Sequence, residues 1–338
     1  MNKVFKNIAL ETAHRSGIFR SFHWLDNPSA NSLYVLVYHR VDWPDSQPRL
    51  DPHNLSATPE QFERHMRLLA KEYHPVSADD VLNAILRGVK LPPRAVLVTV
   101  DDAYRDFKEH VWPIATRHGI RPVLFVPTAF VAAGVFWWDR LYDALQRTTF
   151  GRIDTPVGSI SLDVMEDRHQ AFLLLARYMK SEPFGEAWAQ IDSLCHEIVP
   201  EPFLADRSTL DWGELRQLAR EGVTIAPHTH THPALDHIAP EQARFEIQES
   251  KRLVAQEIGS PGELFAYPYG SYDSTGSAIE ELLRDSGIRL AFTMDLGRAR
   301  LSDDDHMRLP RIVSTPHMTL AHLHAKLTPM FERLGGRR

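Results

Sequence analysis

Short runs of consecutive apolar residues recur along the chain, and each is followed by a stretch with helical periodicity. The run at 95–102 is the clearest, because it follows two prolines and ends in two acidic residues. Continuous β-branched and aromatic runs of this kind are typical of strands buried on both faces. Candidate strands lie at 32–39, 95–102, 121–128, 223–228, 263–270, 289–293 and 308–313.

Helix signals fill the intervals between these runs. Thr58, followed by a proline and with Gln61 three residues on, forms a capping-box start, and Ser77 with Asp80 resembles another. Apolar residues after Thr58 then form one stripe: Phe62, Met66, Leu69 and Tyr73. Further helices are predicted at 103–118, 211–221 and 240–258, and glycines suited to C-caps lie at 88, 119, 222 and 259.

Alternation of buried strands with helices favours a parallel sheet covered by helices. The number of strands favours barrel-like closure over an open sheet. We therefore predict an α/β fold, a distorted (β/α)7-type barrel of parallel strands with an inserted helical segment at 150–207. Within that segment a turn-like stretch precedes a helical pattern at 166–198. It is interpreted as an inserted subdomain, with a pair of ordinary crossover helices as the alternative.

Three parts are expected along the chain: an N-terminal extension (1–30), a barrel domain (31–315) that includes the insertion, and a C-terminal helical tail (316–338). The extension could form an amphipathic surface helix. It lacks the apolar core of a secretory signal, and no stretch approaches the length of a membrane span. These observations predict a cytoplasmic protein with no transmembrane segment.

Composition is that of an ordinary globular protein, with 43% hydrophobic and 24% charged residues in 338. The net charge of −6, from 38 basic and 44 acidic residues, gives no reason to expect nucleic acid as a partner. The single cysteine, Cys195, cannot form an intrachain disulfide. The oligomeric state is not indicated.

Candidate chemistry lies where three strands end, the usual place for functional groups in parallel α/β folds. Asp101 and Asp102 end the second run, where one carboxylate could ligate a metal while the other takes a proton. The alternative is that these acids only cap the next helix.

Three histidines, His228, His230 and His232, follow a predicted strand within five residues. In a helical turn His228 and His232 face the same way, whereas His230 points away from them. Two imidazoles with one carboxylate from another strand make a three-ligand site that leaves positions open for water and substrate. The alternative is that they are surface or satisfied core histidines.

The third strand end is a sharp turn at Pro268 and Gly270, which could aim a backbone N–H at a developing negative charge. A turn without a catalytic role is the alternative. Taken in order, Asp101-Asp102, the segment HTHTHP from His228 and Tyr267-Pro268-Tyr269-Gly270 resemble the polysaccharide deacetylase family, also called the NodB-homology or carbohydrate esterase family 4 group. The flanking segments YVLVYHRV, FVPTAF, LDWGEL and LPRIV also resemble its longer bacterial members, so that the likeness covers about 33–315.

This resemblance implies a metal-dependent hydrolase that removes an N-acyl group, usually acetyl, from an amino sugar or glycoconjugate. It implies a divalent metal, commonly zinc with cobalt or nickel as alternatives, held by Asp102, His228 and His232. Asp101 would be the general base, and the backbone N–H of Tyr269 would help to hold the oxyanion.

The sequence departs from the family pattern at three places. Ala103 stands where the family has glycine, and Ala266 stands where it has the arginine that pairs with the catalytic aspartate. Arg311 is the candidate replacement, with a surface ion pair as the alternative. The family's histidine general acid has no clean match; His317 is the nearest in order, and His39 is the rival.

Candidate substrate-binding residues are His39, Trp138, Asp139, Trp212, Tyr267 and Pro268. Aromatic rings among them, with those of Trp137 and Tyr269, could stack on sugar rings or could simply pack in the cleft wall. Two other functions stay open: hydrolysis of a non-sugar amide at the same site, and non-catalytic sugar binding.

Overall fold

Parallel strands form the centre of the computed structural model, which describes residues 3–21, 31–131, 134–182, 184–199, 208–270, 276–302 and 305–329. The strands are β1 (Ser32–Tyr38), β2 (Arg40–Val41), β3 (Leu55–Ala57), β4 (His74–Pro75), β5 (Ala95–Val100), β6 (Val123–Val126), β7 (Arg152–Thr155), β8 (Gly158–Ser161), β9 (Thr224–Pro227), β10 (Leu264–Ala266), β11 (Leu290–Phe292), β12 (Ala299–Arg300) and β13 (Ile312–Val313).

Helices separate most of these strands. They are α1 (Lys3–Arg15), α2 (Ile18–Ser21), α3 (Pro59–Glu72), α4 (Ala78–Leu86), α5 (Trp112–Arg117), α6 (Trp137–Arg147), α7 (Met165–Ser181), α8 (Phe184–Ile198), α9 (Trp212–Glu221), α10 (Pro240–Ile258), α11 (Ser277–Asp285) and α12 (Leu320–Lys326). A π-helical turn, Phe107–Val111, precedes α5. No helix within the described ranges is long and apolar enough to cross a bilayer.

The predicted barrel class is confirmed. Neighbouring strands β13, β1, β5, β6 and β9 pair in parallel, and so do β10 and β11. A parallel bridge between Phe292 and Leu309 continues from β11 towards β13. The ladder is not closed, however, because in the described residues no strand pairing joins β9 to β10.

Alternate side chains of the central strands enter two separate apolar clusters. Leu33 and Val35 of β1 lie in an inner cluster with residues of β5, β6, β10 and β11. Tyr34 and Leu36 lie in an outer cluster with residues of α3 and α9. Both faces of β1 are therefore buried, which explains why its sequence is a continuous apolar run.

The helix signals in the sequence are largely confirmed. Thr58 and Gln61 form the capping box of α3, whose predicted stripe is buried. Ser77 and Asp80 form the box of α4. Gly222 and Gly259 end α9 and α10 in the left-handed conformation that favours glycine.

Two predicted elements are shorter than expected. The segment 103–118 becomes helical only at Phe107, because Asp102 and Ala103 have positive φ and Tyr104 bridges to Thr209. The run 263–270 is a strand only as far as Ala266, since the chain then turns through a proline to Tyr269, whose φ is +55°. Both changes occur where the candidate site residues leave their strands.

The insertion contains an antiparallel hairpin, β7 and β8, that the sequence analysis wrongly interpreted as a turn. Each strand has four residues and a single large apolar side chain, Ile153 or Ile160, so it gives no apolar run. The hairpin, α7 and α8 pack with α6 around their own apolar cluster. Parts of the three predicted chain divisions lie outside the described residues (22–30, 200–207 and 330–338), and that division stays a prediction.

Candidate active site

Three loops meet at the C-terminal ends of β5, β9 and β10. Each contains non-glycine residues with φ between +54° and +74°: Asp102, Ala103, Thr229, His232 and Tyr269. Such conformations cost about 1 kcal/mol or more per residue and persist where the surrounding structure fixes them. Backbone strain is thus concentrated at the three strand ends that the sequence singled out.

The structure brings Asp102, His228 and His232 together. One ligand atom from each lies within 4.8 Å of the others, and all three side chains are buried. Asp102 Oδ1 is 3.3 Å from His232 Nε2 and 3.8 Å from His228 Nε2, and the two Nε2 atoms are 3.2 Å apart. His230 lies outside this group, with its Nδ1 2.9 Å from the Thr128 hydroxyl.

The three atoms that converge are suited to a cation. His228 Nδ1 donates to the carbonyl of Ala266 at 2.7 Å, which leaves its Nε2 as a lone pair. Asp102 Oδ1 is buried without a hydrogen-bond partner among the described residues. The lone pair of His228 Nε2, the adjacent Nε2 of His232 and the Asp102 carboxylate oxygen form a buried N,N,O set, and such ligands suit zinc and similar ions.

Electrostatics keep these groups in the protonation states that metal binding requires. Burial opposes ionisation of Asp102, but its interaction with the His232 imidazole 3.3 Å away outweighs burial and lowers its pKa to about 2. Burial lowers the pKa of His228 to about 4, so its imidazole is neutral near pH 7.

Asp101 lies beside the three ligand residues and is clamped by Arg311. Two guanidinium nitrogens of Arg311 donate to its two carboxylate oxygens at 2.9 and 2.8 Å, and both side chains are buried. Arg311 also donates to the Thr293 carbonyl at 2.8 Å. Burial alone would raise the pKa of Asp101, but the charge of Arg311 outweighs it and leaves that pKa below its ordinary value. Arg311 thus forms an ion pair with Asp101, which Ala266 has no charged group to form.

An aromatic wall borders His232. Its Nδ1 is 3.2 Å from the Tyr269 hydroxyl, and its ring meets the ring of Trp138 edge-on at 5.0 Å. Trp138 stacks on Phe136 at 4.3 Å between centroids. Burial raises the pKa of Tyr269, so its phenol stays protonated. The wall fixes the orientation of one imidazole.

Asp139 supports this aromatic wall through a chain of hydrogen bonds that passes through Tyr104 to Trp138. Its fully buried carboxylate accepts hydrogen bonds from the Tyr104 hydroxyl and from the backbone N–H of Asp51, each at 2.8 Å. Tyr104 in turn accepts one from Trp138 Nε1 at 2.8 Å. Burial raises the pKa of Asp139 to about 7. Its carboxylate is therefore engaged by protein donors, and contact with a substrate stays a prediction.

The remaining residues predicted for catalysis or substrate binding differ in their exposure to solvent. His39 follows β1, is partly exposed, and its charge helps to lower the pKa values of both Asp101 and Asp102. His317 is exposed in a turn after β13. Trp212 packs against the outer apolar cluster.

Tyr267 and Pro268 are buried at the exit of β10. The Tyr267 hydroxyl donates to the Met307 carbonyl at 3.0 Å, so its polar group is occupied within the protein.

Two supporting residues were missed by the sequence analysis. Glu246 of α10 is fully buried and accepts the backbone N–H groups of His230 and Thr231 at 2.8 and 2.6 Å, which anchors the histidine loop. Tyr104 links the aromatic wall to Asp139. Glu246 gives no signal of its own, because an acid on an amphipathic helix is expected to face solvent.

Comparison with known proteins identifies the class. A sequence profile of the family described as "Polysaccharide deacetylase" matches residues 88–290, which is more than half of the chain. The chain belongs to the polysaccharide deacetylase family.

Individual relatives are distant in sequence. The poly-beta-1,6-N-acetyl-D-glucosamine N-deacetylase of Escherichia coli (strain K12) is 22% identical over 303 residues, which cover 90% of this chain but only 39% of that protein. The structure of the Streptococcus pyogenes deacetylase PplD in complex with acetate has 17% identity and a TM-score of 0.61, covering 88% of this chain and 99% of that one. IcaB from Ammonifex degensii has 18% identity and a TM-score of 0.56, with 88% and 97% covered. At these identities the solved structures show a shared fold.

Proposed function

We propose that this protein is a metal-dependent hydrolase that removes the acetyl group from an N-acetylated amino sugar in a glycan or glycoconjugate. The observation that carries this proposal is the convergence of Asp102, His228 and His232 beside the clamped Asp101. Membership of the family supports the substrate class, and so does the chain's similarity to the poly-beta-1,6-N-acetyl-D-glucosamine N-deacetylase of Escherichia coli.

Asp102, His228 and His232 would hold a divalent cation, with zinc first and cobalt or nickel as alternatives. Such a cation polarises an amide carbonyl and makes water a stronger acid. The chain's own contribution is to present three ligands in fixed orientation: Ala266 fixes His228 through Nδ1, and Tyr269 borders Nδ1 of His232.

Asp101 would take the proton from the attacking water. Its depressed pKa keeps it ionised at neutral pH, and the two hydrogen bonds from Arg311 hold the carboxylate plane in one orientation. We assign Arg311 a positioning role, since it acts through Asp101. In the net reaction the amide C–N bond breaks, water supplies the new C–O bond, and acetate and a free amine are the products.

A second proton must reach the departing amine. Of the two candidates we favour His39 over His317, because β1 pairs in parallel with β5 and so places His39 at the same edge as Asp101 and Asp102, whereas His317 is exposed in its turn. The backbone N–H of Tyr269 would face the oxyanion. Trp138 and Tyr269 would form one wall of the sugar site.

The decisive experiment combines metal analysis with acetate release from N-acetylglucosamine oligosaccharides. His228→Ala should lose both bound metal and activity. Asp101→Asn should keep the metal but lose at least a hundred-fold in kcat, because an amide cannot accept the proton. His230→Ala is the matched control and should resemble the wild type, since His230 lies outside the ligand group.

Other outcomes would identify the alternatives. Full activity in metal-free protein would refute the proposal. Acetate or formate release only from non-sugar amides would indicate the alternative hydrolase, and sugar binding without any release in the presence of zinc, cobalt or nickel would indicate a binding protein. His39→Ala and His317→Ala, compared by kcat, would settle the second proton donor.

A further inference from the structure

Exposed apolar side chains concentrate on the inserted segment. Six of the thirteen large apolar side chains that are exposed among the described residues lie between 150 and 174. Two of them, Leu173 and Leu174, expose 43% and 49% of their surfaces in the middle of α7. Single exposed apolar residues are common on any protein, whereas a group of this kind is typical of a surface that another molecule covers.

The exposed residues of α7 form one stripe along the helix. At 3.6 residues per turn, positions 166, 170, 173, 174 and 177 lie within about 100° of one another around the helix axis. All five side chains are exposed. The opposite side of α7, with Ala171, Phe172 and Leu175, is buried in the apolar cluster of the insertion. The exposed set, hereafter the α7 stripe, consists of Glu166, Gln170, Leu173, Leu174 and Arg177.

The order of charges makes the α7 stripe complementary to a reversed copy of itself. An acid, Glu166, lies at its N-terminal end and a base, Arg177, at its C-terminal end, with the two leucines between them. When two α7 helices pack antiparallel about a two-fold axis, Glu166 of each copy lies opposite Arg177 of the other. The axis then passes between positions 171 and 172, so that the leucines of both copies meet beside it.

Both charges are accessible to a partner. Glu166 accepts a hydrogen bond from Gln170 Nε2 at 2.9 Å within the same helix, which leaves its carboxylate at the surface. Arg177 is exposed and forms no ion pair within the described ranges.

The chemistry of the α7 stripe favours a second copy over other partners. One acid and one base cancel, so the stripe has no net charge that would attract an anionic bilayer or a nucleic acid. A parallel pair of helices would place Glu166 opposite Glu166 and Arg177 opposite Arg177, which is unfavourable.

The surface next to the stripe enlarges the apolar contact. Val164 and Met165, at the start of α7, expose 57% and 64% of their surfaces. In the antiparallel pair this end of one helix lies beside the C-terminal end of the other. A single pair of helices is still small beside the about 1,200–2,000 Å² of a stable interface, so the association should be reversible and depend on protein concentration.

We infer that the α7 stripe is an interface between two copies of this chain, packed antiparallel about a two-fold axis. The interface is independent of the proposed hydrolysis, because no residue of the α7 stripe belongs to the candidate active site.

Sedimentation equilibrium over a hundred-fold range of protein concentration tests the interface. We expect the wild type to form dimers with a Kd in the micromolar range. Leu173→Asp places a charge beside the two-fold axis and should raise Kd at least ten-fold. Leu296→Asp, at a leucine of similar exposure outside the insertion, is the matched control and should leave Kd unchanged.

Reversal of the charges tests the antiparallel arrangement. Glu166→Arg alone, or Arg177→Glu alone, places like charges opposite each other and should raise Kd several-fold. The double variant, Glu166→Arg with Arg177→Glu, restores both ion pairs in the opposite sense and should return Kd close to the wild-type value. Structural damage from the two substitutions would add in the double variant instead of cancelling.

Several results would overturn the inference. One is a wild type that stays monomeric throughout the concentration range, and flotation of that monomer with phosphatidylcholine vesicles would assign the α7 stripe to a bilayer instead. A folded Leu173→Asp protein with unchanged Kd would place the dimer interface elsewhere. A double charge variant that dimerises no more tightly than the single variants would exclude the antiparallel arrangement. Circular dichroism confirms that each variant is folded.

Discussion

At the scale of single residues, the clamp between Arg311 and Asp101 is a fully buried ion pair beside the candidate metal ligands. The two residues are 210 positions apart, fully buried, and joined by two short charged hydrogen bonds. Burying two charges has a large desolvation cost, which is offset only while both are present. The loss of unfolding free energy on removing one partner is therefore not simply half of the loss on removing both.

We expect Arg311→Gln to lower the free energy of unfolding by about 3–5 kcal/mol, because Asp101 is left as an unpaired buried charge. Asp101→Asn combined with Arg311→Gln should cost clearly less than the sum of the single changes. Urea denaturation of the four proteins measures this cycle. Arg252→Gln, which breaks an exposed pair with Glu249, is the control and should leave the free energy of unfolding almost unchanged. Additive single and double changes would contradict the buried clamp.

At the scale of secondary-structure elements, the site depends on helices that contribute no ligand. Strand β9 delivers His228, but the loop beyond it is held by α10 through Glu246. The loop contains left-handed backbone at Thr229 and His232, which does not form without such support. Packing of α10 against the barrel and the geometry of the histidine pair are therefore linked.

Glu246→Gln should weaken this anchor. The amide oxygen cannot replace all of the hydrogen bonds that a buried carboxylate accepts, and we expect a loss of about 1.5–3 kcal/mol in unfolding free energy. Zinc affinity, measured by competition with a chromophoric chelator, should fall with it. Glu241→Gln, exposed on the first turn of the same helix, is the matched control. Equal zinc affinity in the two variants would show that the loop keeps its shape without Glu246.

At the scale of the whole molecule, the fold can gain stability from a ligand bound only in the native state. The three proposed ligands come from β5 and β9 and are separated by 126 residues or more between Asp102 and the histidines. An unfolded chain cannot present them together. The free energy of metal binding therefore adds to the free energy of unfolding.

Zinc in excess should therefore raise the melting temperature, and the stabilisation should reach about 2.7 kcal/mol at a free concentration of 100 times Kd. Differential scanning fluorimetry with and without a chelator measures this shift. The shift should be absent in His228→Ala and retained in His230→Ala. A wild-type melting temperature that is unchanged by both zinc and chelator would argue against the metal centre.

The pH dependence of stability provides a test of the packing between α3 and β1. His65 is buried against the Tyr38 hydroxyl, 3.0 Å from its Nδ1, and burial lowers its pKa to about 4. The unfolded state takes up this proton near pH 6.5, whereas the folded state does so only near pH 4. Stability from this residue is thus present above pH 6.5 and falls as the pH drops towards 4, by about 3 kcal/mol in total.

His65→Gln removes this titration. Between pH 6.5 and pH 4 the variant should lose about 3 kcal/mol less than the wild type, measured as the difference in unfolding free energy by urea denaturation at each pH. His74→Gln, on the exposed strand β4, serves as the control and should follow the wild type. Parallel pH profiles for the wild type and His65→Gln would show that the imidazole is not buried in its neutral form.

Local signals in the sequence determined most of the fold. Apolar runs located the strands because a strand buried on both faces has no polar side to interrupt the run, as β1 and β5 illustrate. Caps at Thr58 and Gly222 placed helix ends because they depend on only a few neighbouring residues. The same logic failed for β7 and β8, whose single apolar side chains resemble a loop. Candidate ligands were found because strand order places the ends of parallel strands on one edge.

The tertiary structure alone decided which distant groups meet. The sequence offered Arg311 as a candidate for the place left by Ala266 but left a surface ion pair open, and the buried pair with Asp101 depends on where β13 pairs with β1. The open ladder between β9 and β10 and the anchoring by Glu246 likewise arise from contacts between remote segments. Sequence patterns report which face of an element is buried, whereas the partner on that face is fixed only when the whole chain packs.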